Sequence, residues 1–322
     1  MPTGRAMSPQ FFEGPEKKVE LAVIDGYPSL RSRELEFWYG VVRAAGADVL
    51  SVMRTDAIDA YLLSESSLFV YDELVTMITC GQTALVAAIE AMLEAIEPDA
   101  ISTLVYERKN EHLPRQQPTS FVEDARRLAL LVPGRAVRFG HGREHAVRMF
   151  HTTREYHPAT DARTLEILMH GIGPERAARF RGLDSGANIA RGLGLSRALE
   201  GHRLDEHVFA PAGYSLNAVR GTAYTTLHVT PQHVGSYVSF ETNTPEFVDD
   251  LSGLVNEVVH AFQPEAFDVV VFEPTDAQMS VEVPGYARRE HQREPLSGYH
   301  VTFQHFSRPS SSPGRALPIP LE

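Results

Sequence analysis

Residues 61–71 read YLLSESSLFVY, a stretch that begins as an alternating strand and then sets a carboxylate, Glu65, and two hydroxyls, Ser66 and Ser67, between apolar neighbours. By itself the run predicts strand and nothing more, because Ser and Glu are common where strands end. Its neighbours along the chain carry the same alternation: KKVELAVI, AISTLVYER, AVRFGHG, HAVRMFH, AYTTLHVTP, SYVSFET, FDVVVFE and GYHVTFQHF all have the two-residue period of a strand. Helices are fewer. Leu35, Trp38, Val42 and Ala45 keep helical spacing before Gly46, and Leu85, Val86, Ile89, Leu93 and Ile96 do so before Pro98. SFVE, starting at Ser120, is a capping box that opens a third helix running through Leu131. A fourth is predicted from Thr244 and Pro245, with Phe247, Leu251, Val255, Val258 and Phe262 turned inward. Each half of the chain thus supplies several strands and about two helices, an α+β pattern in which helices cover one face of mostly antiparallel sheets. The halves divide near HPATDA, residues 157–162, and the Pro- and Ser-rich end RPSSSPGRALPIPLE is expected to be poorly ordered.

Composition narrows the classes of function. The chain has 322 residues, 43% of them hydrophobic and 22% charged, enough for a large core. A formal net charge of −12 provides no basic field for nucleic acid. No run approaches the ~20 apolar residues of a membrane span, and MPTGRAMSPQ has no secretory pattern, so a cytoplasmic protein without membrane partners is expected. The one cysteine, Cys80, excludes an internal disulfide and a Cys-rich zinc site, and no metal is expected.

Several side chains outside the opening run have chemical potential. Glu13, Glu16 and Glu20 crowd the approach to a strand, which by itself reads as a solvated edge. Cys80, in TCGQT, sits between a strand and a helix, where helix-end amides favour a thiolate. Phe209, Tyr214 and Ser215 fall in FAPAGYSLN, a loop broken by Pro211 and Gly213. His228 lies in an otherwise apolar strand, a position more typical of a core histidine than of a catalyst.

Taken in order, FFEGPEK, LSESSLFV, TCGQT, YERKN, GYSLN and HVTPQHVGSYVSFETN resemble the pyruvoyl-dependent S-adenosylmethionine decarboxylases of eukaryotic type, from Phe11 to Ser307. The resemblance implies a single domain over residues 1–307, a four-layer αββα sandwich of two similar halves, about 1–160 and 161–307. It implies self-cleavage between Glu65 and Ser66 into pieces 1–65 and 66–322, with Ser66 becoming a covalent pyruvoyl group that forms a Schiff base with substrate. His228 would take the Ser66 α-proton and Ser215 would hold the processing intermediate. Cys80 would be the proton donor in decarboxylation, and Glu13 and Glu16 acids of the site. Phe12 and Phe209 would stack the adenine, with Leu63, Glu65 and Gln232 also at the substrate.

Two departures stand against the family pattern. Gln232 replaces a Glu that binds the ribose, losing a charge-assisted bond. Glu20, Glu166 and Glu241 match an acidic cluster that binds putrescine in some members, but Ala162 and Ile78 replace its Asp and Lys. Arg163 is expected to supply the missing positive charge, and activation by putrescine is not expected. The substrate implied is S-adenosylmethionine, decarboxylated to the aminopropyl donor for spermidine. The rival readings are a pyruvoyl-dependent L-ornithine or L-arginine decarboxylase and a non-catalytic activating paralogue. Oligomeric state, a homodimer included, is not legible.

Overall fold

A computed structural model describes residues 12–142, 145–181, 189–232, 235–247 and 249–309. The tail expected to be poorly ordered lies, from residue 310, outside the described residues. The first half forms β1 (Lys17–Val23), β2 (Val49–Arg54), β3 (Asp59–Leu63), β4 (Ser66–Val70), β5 (Leu74–Thr79), β6 (Ile101–Lys109), β7 (Gly134–Phe139) and β8 (Val147–Thr152). The second forms β9 (Thr164–His170), β10 (Arg203–Val208), β11 (Tyr214–Arg220), β12 (Ala223–Thr230), β13 (Tyr237–Thr242), β14 (Ala266–Glu273), β15 (Ala287–Leu296) and β16 (Tyr299–Ser307). The spatial orders are β2-β3-β4-β5-β1-β6-β8-β7 and β10-β11-β12-β13-β9-β14-β16-β15. Adding eight to each label of the first sheet yields the second, so the halves share one topology although no sequence repeat is visible. Strand pairs are antiparallel in both sheets.

Helices α1 (Leu35–Ala44), α2 (Leu85–Leu93) and α3 (Phe121–Leu131) belong to the first half, and α4 (Pro174–Ala178), α5 (Ser196–Leu199) and α6 (Leu251–Phe262) to the second. The capping box of α3 forms as the sequence predicts: Glu123 N–H donates to Ser120 Oγ and Ser120 N–H to Glu123 Oε2. The predicted helix from Thr244 divides instead. Pro245–Phe247 make a single tight turn, and α6 starts at Leu251 because Asp250, in a non-helical conformation, accepts from Gly253 N–H at 2.9 Å.

The stretch 61–71 holds two strands, β3 and β4, joined at Ser64 and Glu65, with Leu63 opposite Ser66 and Leu62 opposite Ser67. The two-residue connection reverses the phase of the alternation: Tyr61 and Leu63 of β3 share the helix-side core with Leu68 and Val70 of β4, while Ser67 turns to the other face. Ser215 likewise lies in strand β11 rather than in a loop, since Gly213 ends the irregular segment one residue before it. The edge strand β15, ARREHQREPL, is charged at half of its positions, which hides it from a hydrophobic search and protects the sheet edge from pairing.

Alternation along the central strands sorts their side chains into two environments. Val19 and Leu21 of β1 join α1, α2 and α3 in one core, and Leu165, Ile167, Leu227, Val229, Val238 and Phe240 join α6 in another. The opposite faces meet each other. Val105, Met149, Leu168, Val270, Phe272 and Phe303 form an apolar patch there, and Phe69 stacks on Tyr224 at 4.3 Å between the sheets. The rest of that interior is polar: Ser51 bonds Asp205, Ser67 bonds Asn217, Lys18 bonds Glu166 and Ser239 bonds Glu16. The layers are therefore helix, sheet, sheet, helix. Among the described residues no helix is long and apolar enough to cross a membrane.

Phe240, fully buried on the helix side of β13, tests the second core. Phe240→Ala should lower unfolding free energy by about 3–5 kcal/mol in chemical denaturation.

Candidate active site

The β3–β4 turn meets the end of β5 and the segment before β1. Glu65 carbonyl oxygen accepts from Cys80 N–H at 2.9 Å, and Cys80 Sγ lies 3.4 Å from the same oxygen. Ser66, the next residue, has φ +130°, a conformation that strains a residue with a Cβ by roughly 1–3 kcal/mol. Its hydroxyl is buried with no hydrogen-bond partner, as is one carboxylate oxygen of Glu65. Gly81 has φ +65°, and a Cβ there would fall 2.8 Å from Glu65 Oε2 and 3.1 Å from the Phe12 ring. Only glycine lets the chain turn this close to both.

Burial sets the protonation of these groups. It raises the Glu65 carboxyl to about 7 against the pull of Lys17. It raises the Cys80 thiol well above its ordinary value, with Glu65 and Glu16 adding to the effect. The thiolate expected from helix-end amides is therefore not favoured, because the carboxylates and the lost hydration outweigh them. Lys17, whose Nζ donates to Gly81 O and Gln117 Oε1, is itself lowered by burial to about 8.

Across the interior, His228 of β12 stands opposite Ser215 of β11 and Ser239 of β13. Its Nδ1 lies 2.8 Å from Ser215 Oγ, and its Nε2 lies 3.1 Å from Ser67 Oγ and 2.8 Å from Thr226 Oγ1. Burial lowers the imidazole to about 3, so the ring is neutral at neutral pH. The ring touches Ser67 rather than Ser66, and Ser215 is committed to His228 rather than to the Glu65 carbonyl. The carbonyl is held by Cys80 instead.

Other residues singled out in the sequence are distributed around this centre. Glu16 is buried, is bonded by Ser239 and is raised to about 7 by burial. Glu13 accepts from the amides of His112 and Leu113 at 2.8 and 2.7 Å, and its carbonyl receives Gly81 N–H, so it braces the loop walls. Phe209 meets His207 edge-on at 4.6 Å. Gln232 keeps a buried Oε1 without a partner. Leu63 is wholly buried in the first helix-side core.

The acidic cluster corrects one expectation. Arg163 does not enter it but pairs with Glu273 at 2.7 Å. The cation among Glu20, Glu166 and Glu241 is Lys18, whose Nζ lies 3.0, 2.9 and 3.0 Å from their carboxylates. Lys18 faces Ile78 across the β1–β5 pair, so the charge missing at Ile78 is supplied from the neighbouring strand. Burial would discharge Lys18, but the three carboxylates overcome it and hold the ammonium. Lys109 joins Glu166 and Glu107 and extends the network. The signal for Lys18 was present in EKKVE, where Glu16, Lys18 and Glu20 share one face of a strand. Asn217 and Thr226 are legible in the same way, as polar residues two positions from Ser215 and His228.

Residues 9–307 match the family model described as adenosylmethionine decarboxylase. Proteins named S-adenosylmethionine decarboxylase proenzyme are similar: that of Xenopus laevis is 31% identical, covering 92% of this chain and 96% of the relative. The Dictyostelium discoideum protein is 30% identical over 86% of this chain and 80% of its own. A solved Trypanosoma brucei AdoMetDC-delta26 monomer shares the fold, with a TM-score of 0.59 at 23% identity over 76% of this chain and 99% of that one.

The environment of Cys80 predicts its titration. No thiolate absorbance should develop as pH passes about 8.5, the ordinary thiol value, whereas the denatured chain should titrate there. A native thiolate at neutral pH would contradict the assignment.

Proposed function

Because the chain belongs to the adenosylmethionine decarboxylase family, we propose that it is a self-cleaving proenzyme whose cut form decarboxylates S-adenosylmethionine. The observation that carries this reading is the β3–β4 junction, where a buried, unpartnered serine hydroxyl at positive φ adjoins a carbonyl already held by an amide. Ser66 Oγ attacks the Glu65 carbonyl carbon, and Cys80 N–H holds the oxygen as it gains charge. As the carbon–nitrogen bond breaks, the hydroxyl proton of Ser66 passes to the departing nitrogen, leaving Glu65 esterified to Ser66 with a free amine, and the backbone strain at Ser66 favours that exchange. Neutral His228 then takes the Ser66 α-proton while the Cβ–oxygen bond breaks, releasing the Glu65 carboxylate. The enamine left behind becomes an imine, and one water adds to its carbon as ammonia leaves, giving a ketone.

The residues around Ser66 fit a pyruvoyl group, since none competes for its oxygen and the surroundings are dry. The pyruvoyl group supplies the electron sink that a decarboxylation needs. Cys80, kept as a thiol by burial, Glu65 and Glu16, holds a proton for the substrate carbon. Phe12 and Phe209 supply rings for the adenine, and the free Oε1 of Gln232 accepts a ribose hydroxyl. Glu65 and Glu16 suit a sulfonium.

Intact-mass analysis should find pieces 1–65 and 66–322 in the wild type and a whole chain in Ser66→Ala. Labelled S-adenosylmethionine, ornithine and arginine assayed side by side should release carbon dioxide from the first alone. Turnover of a basic amino acid instead would overturn the substrate assignment.

Lys18 supplies the charge that a diamine brings to other members, so added putrescine should leave the wild-type rate unchanged. In Lys18→Ala, Glu20 and Glu241 lose their cation and Glu166 keeps only Lys109, so activity should fall and millimolar putrescine should restore part of it. A wild type stimulated several-fold by putrescine would count against this role.

A further inference from the structure

We infer that Asn217 fixes the proton of His228 on Nε2 and so makes Nδ1 the nitrogen that acts as base. The inference rests on the reading of His228 as the base of chain cleavage, and it identifies which of the two ring nitrogens does the work and what decides it.

The residues involved, Ser67, Ser215, Asn217, Thr226 and His228, are all buried between the sheets, so their hydrogen bonds must be satisfied among themselves. Counting starts at the backbone. Asn217 Nδ2 donates to the Tyr61 carbonyl at 3.1 Å. The reversed amide would set oxygen against oxygen, so Oδ1 faces the other way, toward Ser67 and Thr226. Ser67 Oγ lies 2.6 Å from Oδ1, a separation that two oxygens hold only with a proton between them, and Asn217 has none on that atom. The Ser67 proton is therefore spent on Asn217. Thr226 Oγ1 lies 3.0 Å from Oδ1, 2.8 Å from His228 Nε2 and 3.2 Å from Ser67 Oγ, and we assign its proton to Oδ1 as well.

Each hydroxyl carries one proton, so both oxygens turn lone pairs toward His228 Nε2, at 3.1 and 2.8 Å. A nitrogen facing two acceptors must carry the hydrogen. The ring is neutral and has one such proton, which leaves Nδ1 bare and accepting from Ser215 Oγ at 2.8 Å. Nδ1 is then the only ring nitrogen with a lone pair, and it takes the Ser66 α-proton when the Ser215 hydroxyl turns its own proton away; the charge that appears on the ring is met at Nε2 by two oxygens already polarised by the amide. Tyr61 belongs to the first half and His228 to the second, so a first-half carbonyl sets the proton of a second-half base. Asn217 touches no reacting atom and is a positioning residue.

The test uses full-length Ser66→Ala, which stays whole, labelled with 15N-histidine, with the His228 signals assigned by their loss on adding His228→Gln. Two-bond proton–nitrogen correlations should place the proton on Nε2. Adding Asn217→Leu should free both hydroxyl protons to turn on Nε2 and move the ring proton to Nδ1. In the cleavable chain the same change should slow cleavage by roughly a hundredfold, the lower end of what a positioned base contributes. Asn217→Asp, assayed at a pH where the buried carboxyl is protonated so that its O–H donates to the Tyr61 carbonyl and its other oxygen accepts from both hydroxyls, should retain Nε2–H and most of the cleavage rate. A proton on Nδ1 in Ser66→Ala overturns the inference, even if Asn217→Leu fails to fold. So does an Asn217→Leu chain that folds and cleaves at the wild-type rate. A wild-type chain that never cuts at Glu65 overturns the proposed function instead, whichever nitrogen holds the proton.

Discussion

Beside an apolar patch, the two sheets of this protein meet through buried charges and hydroxyls, and the arrangement of the site depends on that polar part. Removing an ion from water costs several kcal/mol unless partners compensate. Lys18 and Lys109 reach from the first sheet to Glu166 of the second, and each also holds a carboxylate of its own half, Glu20 and Glu107. The cross-sheet pairs therefore fix how the halves face each other. Helices on the outer faces supply the apolar burial that holds each sheet together, which leaves the inner faces free to be polar.

That division of labour accounts for the chemistry of the interior. Dry surroundings keep His228 neutral and Cys80 protonated, the states that their proposed roles as base and acid would require. They also leave the Ser66 hydroxyl without a competing partner beside a carbonyl held in place. Rigid strands, rather than loops, carry Ser66, Ser215 and His228, and their registers fix which groups meet.

Much of this was legible in the sequence because burial on one face and polarity on the other produce a two-residue period. The α+β class and the helices ending near Ala45 and Ile96 followed from spacing, and the helix ending at Leu131 from its capping box. The turn at Ser64 and Glu65 did not, since it lacks the Gly or Asn of an ordinary tight reversal and the positive φ falls on Ser66. Lys18 was missed for a different reason. A position-by-position reading looked for the cation at Ile78 and then at Arg163, whereas cross-strand pairing makes Lys18 and Ile78 neighbours. Short helices such as α4 and α5 have too few residues to display a period.

The place of β1 in the sheet has a consequence for the cut protein. β1 lies between β5 and β6, while β2 and β3 occupy one edge. A cut after Glu65 would place β1, β2 and β3 on the short piece and every other strand of that sheet on the long one. The pieces would share a core rather than a surface, and neither could depart without dismantling it. Assembly would thus have to precede cutting. Unfolding, a one-body event for the intact chain, would become a two-body event whose reversal depends on concentration, and the strained turn that began it would no longer exist to be reformed.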